Sequence, residues 1–289
     1  MTPQTILSTP NGHITQSQKG NDVSIIHIEH ARCNASVSLF GGQVLTWQPT
    51  NQQPVFWLSE SSCYQPNKAI RGGIPLCWPW FGAYKNAGNH GFARQMQWQL
   101  DKVDITEQAV TVVLTTSGEQ LSALWPTPFK LVQTLIFSDK FSQTLTIHNL
   151  SDQAVQYTSA LHSYFRVSSP ENTQITNLNN VPFDDKITLK TAQQDTLTNC
   201  VGPIDRIYHN ANAQRIHDTV WQRSIEVTST QCQQWVLWNP GVAGAATMAD
   251  VHTNGEHEYV CLEAANTQWQ TIAANASTTL SQQVSILQE

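Results

Sequence analysis

Two segments of the chain carry side chains able to exchange protons with a bound molecule. In VQYTSALHSYFRV, residues 155–167, the alternation of a β-strand puts Gln156, Thr158, Ala160, His162, Tyr164 and Arg166 on one face. His162 then lies on a semi-polar face between a small residue and an aromatic, which suits the wall of a polar cleft. A histidine simply hydrogen-bonded within a sheet fits the same pattern. In EYVCLEA, residues 258–264, Tyr259, Cys261 and Glu263 share a face at the end of an apolar run. A carboxyl in that position is partly buried, and burial without a partner raises its pKa, which makes Glu263 a candidate base. A carboxylate paired with an arginine or a backbone donor is the plainer alternative.

Cations come from two further places. Arg71 precedes Gly72 and Gly73, and the stretch NHGFAR, residues 89–94, holds His90 and Arg94. If NHGFAR is extended, His90, Phe92 and Arg94 point to one cationic face. Guanidinium forks beside flexible backbone can receive a phosphate through paired charge-assisted hydrogen bonds, although solvated surface arginines look the same in sequence. No phosphate-cradling glycine pattern of the nucleotide-binding kinds is present, and no G-x-S-x-G elbow of a serine hydrolase. His252 and His257 lie near Asp250, Glu256 and Glu258, but their spacing is not that of a metal-binding helix, so no metal and no cofactor are expected. Trp78, Trp80, Phe81, Tyr84 and Trp238 could face sugar rings or pack a core.

The elements that must position these residues read as strands. DVSIIHIEH, ASVSLFG, MQWQLDKVDITE, AVTVVLTTS, FKLVQTLIFS, FSQTLTIHNL, SIEVTS, QWVLW and TLSQQVSIL are short, alternate with period 2 and are bounded by turn residues. Only SGEQLSALW, residues 117–125, suggests a turn or two of helix before Pro126. Many strands without intervening helices predict an all-β fold of antiparallel sheets, a sandwich or a barrel. No linker or repeat divides the 289 residues, so one domain over 1–289 is expected, with 1–20 as a peripheral segment. The stretch from Glu60 to Asn89 alternates poorly and contains RGGIPLCWPWFG, which marks it as a functional loop.

A net charge of −6 with only 15 lysines and arginines leaves no basic footprint for nucleic acid or an anionic membrane. With no apolar run of membrane-spanning length and no leader pattern, the chain is expected to be soluble and cytoplasmic. Six cysteines without a C-x-x-C pair are expected to be reduced thiols.

Taken in order, RGGIPLCWPWFG, NHGFAR, SALHSYF, VLWNP, TMAD and YVCLEAAN resemble the hexose-6-phosphate mutarotases, or glucose-6-phosphate 1-epimerases, a branch of the aldose 1-epimerase proteins. The resemblance covers roughly residues 20–287. It implies a large antiparallel β-sandwich of the galactose-mutarotase-like kind, binding a sugar phosphate on its concave face; the anomer exchange requires no cofactor, and a monomer is expected. It also implies His162 as general acid, Glu263 as general base, Arg71 and Arg94 on the 6-phosphate, and Asp205 on sugar hydroxyls. Asn89 stands where the family often has glutamine and would make a polar contact, and His90 would shape the cleft or touch the sugar. GVAGAA at 241–246 and EAAN at 263–266 depart from the family pattern and bear on substrate preference. Two alternatives stay open: an epimerase of unphosphorylated aldoses, and a sugar-binding or regulatory protein without turnover.

Overall fold

The computed structural model describes residues 3–287. Its strands form three antiparallel sheets. The first is a meander of Gln4–Thr9, Gly12–Lys19, Val23–His30, Cys33–Ser38 and Gln43–Pro49. The segment expected to be peripheral thus supplies one edge strand of this sheet and the strand beside it, and Ile14 reaches the main core.

The second sheet runs in the order Thr173–Gln174, Gln214–Asp218, Arg223–Thr230, Ser277–Leu287, Lys140–Asn149, Phe129–Phe137, Val110–Gly118 and Gln99–Ile105. The third runs Lys190–Gln193, Phe183–Asp185, Ile204–Tyr208, Gln234–Asn239, Tyr259–Ile272, Val155–Leu161 and Leu76–Cys77, and Tyr164–Arg166 also pairs with its long central strand. Sequence alternation explains the layering. In Phe129–Phe137 the odd positions Phe129, Leu131, Leu135 and Phe137 are buried, whereas Lys130 and Ile136 face out. Each such aromatic or leucine taken from water stabilises the fold by roughly 1.5–3 kcal/mol. One continuous core results, joining Ile26, Val37 and Trp47 of the first sheet to Leu131 and Phe141 of the second and Leu161, Leu237 and Leu262 of the third.

The third sheet is two-faced in a way that matters for function. Leu76, Leu161, Leu237, Val260 and Leu262 point into the core. The opposite face carries Cys77, Ala160, Val236, Ile207 and Ala265. Small side chains there leave a hollow over the centre of the sheet.

One expectation about an irregular region changes. Residues 119–125 form bends and a turn closed by the Ser122–Trp125 bridge, not a helix. The one α-helix among the described residues, Gly241–Ala245, lies instead in the GVAGAA segment. Gly72 and Gly73 let the chain pass between sheets: Gly73 N–H donates to Trp57 O (2.6 Å), Ile74 N–H to Val44 O (2.8 Å), and Gly73 O accepts from Tyr164 N–H (2.9 Å). Gly73 has φ +62°, and a Cβ there would sit 2.0 Å from Val44 O. The backbone of Val44 and Leu45 closes the space. Gly73→Ala should therefore cost about 2 kcal/mol or more, read as a lowered urea midpoint at unchanged slope, and an unchanged midpoint would show that this crossing is not close-packed.

Candidate active site

Strand register brings His162 and Glu263 together. Ala160 pairs with Ala265 and Tyr164 with Cys261, so His162 falls opposite Glu263 at the interruption between Leu161 and Tyr164. There the His162 N–H donates to Pro75 O (3.1 Å). The imidazole stacks on the Tyr164 ring, with centroids 4.9 Å apart and planes at 11°. Its Nε2 lies 3.3 Å from Glu263 Oε1. Both groups are buried, and His162 Nδ1 and Glu263 Oε2 make no hydrogen bond among the described residues. Each member of the pair therefore offers one polar atom beyond the contact that joins them.

These two form the floor of a cavity of about 720 Å³. All seven residues singled out in the sequence line it: Arg71, Asn89, His90, Arg94, His162, Asp205 and Glu263. The hollow exists because the neighbours of Glu263 on its face are small, and Val236 is its partner on the adjacent strand. Asp205 comes from the next strand, Ile204–Tyr208, where it pairs with Trp238.

The NHGFAR stretch does not form the extended cationic face. His90 and Gly91 both have left-handed backbone, with φ of +67° and +62°, and Ala93–Gln95 is a 3₁₀ turn. Phe92 consequently packs into the aromatic cluster of Trp78, Trp80, Trp125 and Phe129, while His90 and Arg94 both reach the cavity. His90 is not a cation here. Its Nδ1 accepts from the Gly82 N–H (3.2 Å), and burial, with Arg94 and Arg71 nearby, pushes its pKa down to about 3.

The two arginines differ in their partners. Arg71 donates from Nη1 to the Tyr164 hydroxyl (2.8 Å) and from Nε to Asp250 Oδ2 (3.1 Å), with Nη2 3.0 Å from the same oxygen. Arg94 donates from Nη2 to the Asn89 carbonyl (3.0 Å), and its buried Nε has no partner among the described residues. Charge on this wall acts on the floor. Burial, then His90, Arg94 and Arg71, holds His162 well below the usual histidine range. Burial, then Asp205, holds Glu263 well above the usual carboxyl range, with Arg94 opposing. Burial raises Asp205 as well, against Lys186. In this state the pair is an uncharged imidazole beside a carboxyl.

Several site residues escape a reading of the sequence. Asp184, Lys186 and His209 form the far wall, with Asp184 Oδ2 3.0 Å from His209 Nε2. Asp184 sits on the three-residue strand Phe183–Asp185, Lys186 in the turn after it and His209 just past Ile204–Tyr208, all too short or irregular to show alternation. Thr267, Gln268 and Met248 complete the rim. Of the aromatics, Phe81 and Trp238 line the cavity, while Trp78 and Trp80 belong to the core. Trp238 stands edge-on to His162 at 6.1 Å. His252 and Glu258 serve structure: Glu258 accepts from Trp57 Nε1 (2.8 Å), contacts His252 Nε2 (3.1 Å) and pairs with Arg166.

Comparison with known proteins bears on this arrangement. The family model for aldose 1-epimerases matches residues 24–286. A Salmonella typhimurium protein named "Putative glucose-6-phosphate 1-epimerase" is 34% identical over 251 residues, covering 84% of this chain and 83% of its own length. An Escherichia coli protein of the same name is 33% identical over 261 residues, with 87% and 86% covered. Among solved structures, a mutarotase of Salmonella typhimurium, so described provisionally, superposes with a TM-score of 0.89 at 30% identity, covering 98% of this chain and 96% of that one.

The protonation states give a stability prediction. His90 and His162 are neutral when folded and have ordinary pKa values when unfolded, so below about pH 6.5 these two groups bind more protons in the unfolded chain. Glu263, raised in the fold, binds its extra proton in the folded chain above about pH 4.5 and opposes them there. Stability should therefore fall as the pH drops toward 3, most steeply below about 4.5. Replacing His90 with asparagine should flatten that slope in urea titrations at successive pH values. A slope identical to that of the parent protein would mean that His90 titrates normally in the fold.

Proposed function

The chain belongs to the aldose 1-epimerase family, and from that premise we propose that it interconverts the α and β anomers of a hexose 6-phosphate, D-glucose 6-phosphate first among them. The observation that carries the reading is the buried His162–Glu263 contact on the floor of a cavity with two arginines in its wall. The names of the relatives at 33–34% identity support the phosphorylated substrate.

Anomer exchange needs one proton taken from the C1 hydroxyl and one given to the ring oxygen. The ring opens to the aldehyde, the C1–C2 bond rotates, and closure with the roles reversed gives the other anomer. Glu263 as carboxylate takes the first proton and His162 as imidazolium gives the second. The pair needs a single proton for this, moved from Glu263 Oε1 to His162 Nε2 across 3.3 Å. A phosphate dianion on Arg71 and Arg94 promotes that transfer, because it offsets the positive field that holds His162 neutral. It also anchors the unreactive end of the sugar, leaving C1 free to turn.

The remaining contacts follow from the chemistry of the wall. His90, with Nδ1 occupied by the Gly82 N–H, presents its other nitrogen as a donor. Asp205 accepts from sugar hydroxyls. Asn89, one methylene shorter than glutamine, supplies a polar contact beside Arg94. Asp250 already holds Arg71, so Arg94 contributes the larger share of the attraction for phosphate. On the same reading the protein is a cytoplasmic monomer with one catalytic domain. In support, one core joins all three sheets, and no described helix is long and apolar enough to cross a membrane.

The test follows exchange of glucose 6-phosphate and of glucose by NMR, with the spontaneous rate subtracted. Acceleration of the phosphate is expected, acceleration of glucose alone would select an epimerase of free aldoses, and binding without acceleration would select a silent sugar-binding protein. His162→Asn and Glu263→Gln should each lower the rate by roughly 10²- to 10⁴-fold with the fold intact. Arg94→Ala should lower kcat/KM for glucose 6-phosphate by roughly ten- to a hundredfold without lowering that for glucose, because it removes charge-assisted bonds to one substrate only. Equal losses on both sugars would show that Arg94 does not bind phosphate.

A further inference from the structure

Three glutamines interrupt the apolar stripes of adjacent strands in the second sheet. Gln133 lies in Phe129–Phe137, Gln143 in Lys140–Asn149 and Gln282 in Ser277–Leu287, all at inward positions with no exposure. Gln143 pairs with Gln282 across the strands, and Gln133 lies diagonally, opposite Leu145. A leucine at any of these positions would carry no amide to desolvate. The amides are retained by joining head to tail.

Gln282 Nε2 donates to Gln143 Oε1 (2.8 Å), Gln143 Nε2 to Gln133 Oε1 (2.7 Å), and Gln133 Nε2 to the Gly42 carbonyl (2.5 Å). All three dipoles point the same way, so each bond polarises the next. Both ends lead to the active site. At one, the Ser163 hydroxyl donates to Gln282 Oε1 (3.1 Å), and Ser163 follows His162 directly. At the other, the residue after Gly42 is the fully buried Gln43, whose Nε2 donates to the carbonyls of Ile70 (3.1 Å) and Gly72 (2.6 Å). Those carbonyls flank Arg71.

We infer that this buried amide chain is a positioning device, with Gln282 acting on His162 through Ser163 and Gln43 acting on Arg71 through the backbone on either side of it. His162 sits where the strand is interrupted: its own N–H bonds to Pro75 O, and the tie to the central strand passes through Ser163, whose carbonyl accepts from Leu262 N–H (3.1 Å). Side chains alternate, and Ser163 points into the core while His162 points into the cavity. A shift of Ser163 tilts the imidazole against Glu263, and displacements of about 1 Å at reacting groups can cost a hundredfold in rate. The inference rests on the anomer-exchange reading for its kinetic part.

The experiment compares Ser163→Ala, Gln282→Leu, the double variant, Gln43→Leu and, as a control on the exposed neighbour, Gln283→Ala. Exchange of glucose 6-phosphate is measured together with the urea midpoint and the NMR titration of the His162 ring. Expected for Ser163→Ala and Gln282→Leu is a kcat lowered about tenfold or more, KM within about twofold and a displaced His162 resonance. The double variant should fall no further than the worse single one, as for residues acting through one contact. Gln43→Leu should instead raise KM by a larger factor than it lowers kcat, and Gln283→Ala should match the parent. If Gln282→Leu does not fold, Ser163→Ala, which removes only a hydroxyl, carries the test. An unchanged kcat and His162 resonance in folded Ser163→Ala overturns the inference. The same proportional loss in every core variant, tracking the urea midpoint, does so too. Failure of the parent protein to accelerate exchange would count against the functional reading alone, and the His162 resonance would then decide the positioning question by itself.

Discussion

The site depends on keeping a carboxyl and an imidazole out of water at 3.3 Å from each other. An ionised carboxylate alone in such a place costs several kcal/mol, so the pair must either share a proton or receive compensating charge. Burial and Asp205 favour the protonated carboxyl, and burial with His90 and the arginines favours the neutral imidazole. The resting pair is therefore uncharged and inexpensive to bury. That economy is possible only in a sheet with one face filled by core and the other cleared by Ala160, Ala265 and Cys77.

The walls obey the same logic with shorter elements. NHGFAR drives Phe92 into an aromatic cluster, and this anchor fixes the two polar residues beside it. A Cβ at Gly91 would stand 2.1 Å from the Trp78 carbonyl, so the loop lies against the strand-like segment beneath it. Arg94 and the neutral His90 are thereby presented to the cavity from one loop. Arg71 is held differently, by Asp250 and the hydroxyl of the tyrosine that stacks on His162. A change in charge at the guanidinium is thus close to the imidazole in both field and contact.

Much of this was legible in the chain and some was not, for identifiable reasons. Period-2 alternation identified the strands and the faces of His162 and Glu263, because burial on one side imposes that period. It could not show that the two residues lie opposite each other, since register depends on partners a hundred residues apart. The extended reading of NHGFAR failed at His90, whose positive φ no composition rule predicts for a histidine. The far wall of Asp184, Lys186 and His209 was missed because a three-residue strand and the turns beside it carry little pattern. Among the aromatics, packing claimed Trp78 and Trp80, and only the cavity side of the loop kept Phe81.

The distribution of charge around the cavity also limits how a ligand can lie in it. Asp184 and Asp205 are on the wall away from Arg71 and Arg94, with Lys186 and His209 beside them. A phosphate dianion at that wall would face two carboxylates, whereas at the arginine wall it meets Arg94, which carries no carboxylate partner in any contact described. On the proposed reading the phosphate therefore takes the arginine side and the sugar hydroxyls take Asp205. C1 then comes to rest over the pair on the floor, where His162 Nδ1 and Glu263 Oε2 have polar capacity to spare. Orientation is set by repulsion at one wall as much as by attraction at the other, so a substrate without the phosphate loses the discrimination along with the anchor.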